Sequence, residues 1–220
     1  MTEPVRLSQW ITHVFDHPVT DPAWHFSIDS RFLDPGPTRV AELIAETFEA
    51  AGTLLQPFSD AQLNQAFWFL VSSGNSDYMF CLSDHSVQWP LRRRALRSFV
   101  PLFRQVMAPR CSPVLSHRDE PADSPLNSAC FMWWDIVPLS ESQIGDPSHA
   151  ALTDEVLTVL SELVDRPHDA CRESALHGLG HWALFNPQAA AIIDSFLTHA
   201  QGLRPDLIAY ATQAKSGDIL

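Results

Sequence analysis

A chain of 220 residues supports one domain with a sizeable core, or two small ones. Its net charge of −12 disfavours general nucleic-acid binding, which needs a basic surface against phosphate, and suits a partner protein with a basic surface instead. No apolar run reaches bilayer length, the opening MTEPVRLSQW lacks a leader pattern, and Cys81, Cys111, Cys130 and Cys171 form no CxxC pair, so a reduced, cytoplasmic protein without a membrane span is expected.

The elements in chain order are helical. VRLSQWITHVF sets Leu7, Trp10, Ile11, Val14 and Phe15 on one stripe. PTRVAELIAETFEAAG opens on Pro37, a favoured first-turn residue, and is predicted to close before Gly52. SDAQLNQAFWFLVSSG begins with a capping box, Ser59 and Gln62. QWPLRRRALRSFVPLFRQVM continues the helical pattern, and Pro101 inside it predicts a kink or a split. Its Arg92, Arg93, Arg94, Arg97 and Arg104 read as a solvated face paired with nearby acids.

Residues 108–126, rich in Pro, Ser and Asp, form a loop too long for a mere connector. CFMWWDIV is apolar around nearly its whole circumference, which predicts a buried helix stopped by Pro138. LTDEVLTVLSELV is an amphipathic helix ending before Pro167. In CRESALHGLGHW, Cys171, Ala175, Leu179 and Trp182 make an apolar stripe, and Gly178 and Gly180 predict close approach by a neighbouring helix or by the Pro-rich loop. Asn186 and Pro187 open the next helix, and Pro205 the last.

RRRALRSFVPLF can be laid over CRESALHGLGHW, so that Ala95-Leu96 falls on Ala175-Leu176. DRPHDACRESALHGLGHWALFNPQAAAIIDSFL resembles a HEAT-like repeat, clearest over 151–212 and partial over 59–107. PLNSACFMWWD followed by CRESALHGLGHW also resembles uncharacterised bacterial proteins, which implies no activity. The HEAT resemblance implies an all-α fold, an α-solenoid or irregular helical bundle, with exposed ridges that bind partners. The expected organisation is one domain over 1–220: an atypical N-terminal cap (1–58), middle repeats (59–150) and C-terminal HEAT-like repeats (151–220).

His177 and His181 stand four apart on a helix, with Glu173 one turn earlier. Zinc needs three or four ligands, and one helix supplies two histidines and a marginal carboxylate. No metal and no cofactor are therefore expected, and the three residues are assigned to a contact ridge, with packing of the histidines against the preceding hairpin as the alternative. The set Cys111, His117, Cys130, His168 and Cys171 matches no finger or ribbon spacing. Asp135, among apolar neighbours, is expected to be buried with Arg94 or a histidine as partner. Trp133, Trp134, Asp135 and Trp182 resemble, by residue type alone, the aromatic and acidic site of HEAT-like alkylpurine DNA glycosylases.

No catalytic motif appears, so the expectation is a non-enzymatic protein-binding module, specifically an immunity-type inhibitor of a bacterial toxin. Asp119, Glu120 and Asp123 on the long loop are its expected contact residues. The alternatives are an enzyme on the helical scaffold, glycosylase-like or metal-dependent, and a scaffold or adaptor.

Overall fold

The computed structural model describes residues 4–27, 33–139 and 149–219. Among these residues every regular element is helical and there is no strand. The N-terminal part contains α1 (Leu7–Phe15), α2 (Pro37–Glu49), the short turn α3 (Ala51–Leu54) and α4 (Asp60–Val71). Then come α5 (Trp89–Arg97), α6 (Phe99–Leu102), a π-helical turn at Phe103–Met107, and α7 (Ala108–Arg110). The C-terminal part contains α8 (Leu126–Ile136), α9 (Ala150–Val164), α10 (Asp169–Ala183), α11 (Pro187–Thr198) and α12 (Pro205–Lys215).

Local chemistry explains most boundaries. Ser59 accepts from the Gln62 amide while the Gln62 side chain accepts from the Ser59 amide, which closes the capping box of α4. Asn186 accepts from the Gln188 amide, and Pro187 starts α11. Pro101 lacks an amide donor, and the expected split is seen: α5 ends at Arg97 and the π turn follows α6. α2 closes at Glu49, before Gly52 as the sequence predicts. The break falls at Ala50, and Gly52 sits within α3, where its amide donates to Gln105 at 2.8 Å.

One apolar cluster runs from Trp10 to Ala214. Trp133 is fully buried at its centre, in edge-to-face contact with Phe67, Phe99 and Phe103. The arginine run is paired internally: Arg93 and Arg97 both reach Glu155 on α9, at 2.5 and 2.7 Å, and Arg94 forks onto Glu49. Arg94 is thus exposed rather than buried. Arg92, over the Trp89 ring, is the buried member of the run.

α10 is the element on which the C-terminal helices converge, since α8, α9, α11 and α12 all pack on it. Both glycines serve this packing. A Cβ on Gly178 would lie 2.6 Å from Trp134 Cγ and 2.8 Å from Leu160 Cδ2. A Cβ on Gly180 would strike Ile219. α8 and α9 therefore approach one side of α10, and the chain after α12 approaches another.

The 108–126 segment lies back across this group rather than standing free. Asn127 stitches Ser112 at both of its side-chain atoms, and Ser124 Oγ donates to Asp60. Glu120 accepts from the Leu115 amide and pairs with Arg204 beside α12. No helix among the described residues is long and apolar enough to cross a membrane.

Candidate metal centre

The site begins with helical spacing. His177 and His181, four residues apart on α10, share one face. That face meets the last turn of α8, which carries Asp135. Gly178 makes the meeting possible, because the Trp134 ring settles where a larger residue would hold α8 away. Asp135 Oδ2 lies 2.7 Å from His177 Nε2, and Oδ1 lies 2.7 Å from His181 Nε2. One ligand atom from each of the three falls within 4.8 Å of the other two.

The electrostatics favour a cation here. An acid in the last turn of a helix sits against the negative end of the dipole, so a positive partner is needed. Burial would raise the Asp135 carboxyl, but the two imidazoles facing it outweigh burial and hold it well below the usual carboxylate range. His177 is 4 % exposed, and its Nε2 is a buried nitrogen aimed into the site, against Asp135 Oδ2. A buried imidazole nitrogen turned toward a carboxylate and a second imidazole is a donor set that suits a metal ion.

Outer contacts fix the imidazole. His177 Nδ1 is 2.6 Å from Tyr210 Oη on α12. In a tautomer whose Nε2 binds a metal, Nδ1 would carry the proton and the phenol oxygen would accept it. Burial pushes the Tyr210 hydroxyl far above its ordinary value, with Glu173 and Asp135 adding to the shift, so it stays neutral. Phe131 covers one flank of His177 at a centroid distance of 4.9 Å. The Asp135 and His181 side chains keep 24 % and 30 % of their surface open to solvent, so the site is accessible from one side.

Comparison with protein-family models, with curated proteins and with solved structures finds no match. The functional argument therefore rests on the geometry.

That geometry redistributes the residues singled out in the sequence. His177 and His181 do not form an exposed ridge. His177 is buried, and both face a carboxylate. Glu173, one turn earlier on α10, is fully buried and turned to the 116–118 segment, where it accepts from the Ser116 and His117 amides and meets His117 Nδ1 at 2.5 Å. It is neither a ridge residue nor a third ligand. Asp135 has histidine partners as expected, but its side chain is only partly covered. Trp133, Trp134 and Trp182 are buried in the core, so they present no wall on which a nucleobase could stack. Asp119 and Asp123 are exposed, while Glu120 is held by Arg204.

The candidate ligand missed from the sequence is Asp135. It was visible as an anomalous acid in CFMWWDIV, 42 positions before His177. Nothing in linear spacing joins those two positions. The signal that could have joined them is the glycine between the histidines, which asks for a bulky neighbour beside them.

Proposed function

We propose that the protein is a metal-dependent enzyme that holds one divalent cation of the zinc class between Asp135, His177 and His181. The convergence of two imidazoles and one carboxylate from two helices, with one ligand atom of each within 4.8 Å of the others, carries this reading. Two nitrogens and one oxygen suit zinc, iron or nickel better than magnesium or calcium. Structural zinc sites close with four protein ligands, whereas catalytic ones keep a position open. Three ligands with a solvent-facing side match the second kind. A divalent cation so held supplies Lewis acidity and activates water, which makes metal-assisted hydrolysis the favoured reaction class. The chain's own contribution is a fixed ligand set: Asp135 stays ionised, Tyr210 orients His177, and α10 sets the spacing of the histidines.

The scaffold reading goes with it. The successive packing of α9, α10, α11 and α12 supports an irregular HEAT-like stack, with the metal in the seam between α8 and α10.

Purified protein titrated with zinc at neutral pH should bind one ion per chain. Asp135→Asn and His181→Ala should each weaken binding by more than about a hundredfold, since loss of an outer partner alone typically costs 10–100-fold. Hydrolysis of a panel of ester and phosphoester substrates should stop with a chelator and return with zinc. Binding weaker than millimolar, or binding unaffected by both variants, would sink this reading.

A further inference from the structure

Of the four arginines on α5, Arg93, Arg94 and Arg97 are more exposed and paired with acids, whereas Arg92 is 8 % exposed and pairs with no acid among the described residues. Its guanidinium lies over the Trp89 ring, 5.4 Å from the centroid, and its Nε is shut off from solvent without a hydrogen-bond partner. The two terminal nitrogens are not enclosed in that way, and no described residue accepts from them. A cation with so little water and no counter-charge is costly to keep. Asp84 stands in the neighbourhood but does not close on it, because Asp84 Oδ1 accepts from the Ser86 amide at 2.8 Å. Ser86 holds the Asp84 carboxyl below its usual range, with weaker help from Arg92 and His85.

The helix sets where this guanidinium lies. A helical side chain leans toward the N-terminus, so Arg92 returns over Trp89, the first residue of α5. α9 runs beside α5 in the same direction: Arg93 meets Glu155, and Arg97 meets Glu155 and Glu162. The residues shortly before the two helices also meet, His85 against His149 at a ring-centroid distance of 5.1 Å. Both N-termini therefore open at one end of the pair, and neither has a side-chain cap. Each helix start carries about half a positive charge, which with the guanidinium makes roughly two, offset in part by Asp84.

We propose that Arg92 and the adjacent N-termini of α5 and α9 form a binding site for a single phosphate group, either phosphate itself or that of a small phosphomonoester. The guanidinium fork matches two phosphate oxygens, and the helix ends suit the remaining negative charge. The half-buried Trp89 ring holds the plane of the fork. The local charge suits one phosphate group and not a polyphosphate chain. The site is independent of Asp135, His177 and His181 and would hold in a chain that binds no metal.

Calorimetric titration of the full-length protein with inorganic phosphate at fixed ionic strength should show saturable binding in the millimolar range or tighter. Arg92→Met keeps the packed stem and drops the charge, and should weaken binding about tenfold or more. Arg92→Lys keeps the charge without the fork and should fall between. Arg104→Met, on the exposed side of the π turn, should leave binding unchanged. Urea unfolding gives a second readout. Without phosphate, Arg92→Met should be no less stable than the wild type, and phosphate should raise the midpoint of the wild type alone. Tighter binding of phenyl phosphate would make a phosphomonoester the ligand, and equal or weaker binding would make it phosphate itself. Acetate binding as well as phosphate would overturn the proposal, as would phosphate binding undiminished in Arg92→Met. A phosphate-free Arg92→Met chain that is markedly destabilised or unfolded would also overturn it, by showing that the guanidinium has its partner within the protein.

Discussion

At the scale of single residues, Tyr210 and Glu120 show how the C-terminal part is tied together. Tyr210 touches His177 Nδ1 and reaches no solvent of consequence. Removing its hydroxyl leaves the ring packing in place and frees the imidazole to turn or change tautomer. We expect Tyr210→Phe to lower zinc affinity by about 10–100-fold while the fold is retained, read by calorimetric titration beside far-ultraviolet dichroism. An unchanged affinity would remove Tyr210 from the site. Glu120 is a simpler case. The Arg204 hydrogen bond, with the Leu115 amide and against slight burial, holds its carboxyl at about 2. A depressed carboxyl stabilises the folded form above its ordinary value of about 4.3 and loses that effect as pH falls through the folded value. The Leu115 amide resonance should therefore titrate with a midpoint near 2, and a midpoint near 4 would mean that the loop is untied in solution.

At the scale of elements, α10 is where sequence and structure part company in an instructive way. Its existence, its limits and its apolar stripe follow from helical period, a proline-bounded start and the Asn186-Pro187 signal beyond it. Its polar residues were legible as types but not as partners. His177 and Glu173 each face a different long-range neighbour, and only packing assigns them: α8 for the first, the 116–118 turn for the second. The glycines were the best local clue, since both predicted close approach and both have it. Gly178→Ala puts a methyl 2.6 Å from the Trp134 ring carbon, so α8 must shift. Overpacking of this kind costs about 1–3 kcal/mol. The shift also moves Asp135, next to Trp134, so the variant should lose both stability in denaturant unfolding and zinc affinity. Retention of both would show that α8 does not depend on Gly178 for its position.

At the scale of the molecule, the charge of −12 is not spread as a uniform acidic coat. The arginines of α5 neutralise Glu155 and Glu162 of α9 and Glu49 of α2, which binds the N-terminal and C-terminal parts across one shared core. Glu155 is the buried partner of that group, and Arg93 and Arg97 are largely exposed. Glu155→Gln leaves two guanidiniums that water can solvate, so a loss of about 1–2 kcal/mol in urea unfolding is expected, smaller than for a fully buried pair. A loss above about 3 kcal/mol would place the arginines deeper than the structure does. Helical periodicity did indicate an all-α chain, and the acidic composition indicated internally paired arginines. It did not indicate that the acid of one buried helix would close on the histidines of another, because that contact is made by the packing of α8 on α10.

The claim that matters most is that Asp135, His177 and His181 together hold one metal ion. X-ray absorption of the zinc-loaded protein reads the ligand atoms directly. The account predicts a first shell of nitrogen and oxygen alone, at about 2.0–2.1 Å, with outer scattering from two imidazoles and no sulfur. A shell containing sulfur at about 2.3 Å would contradict it by placing the metal among Cys111, Cys130 and Cys171.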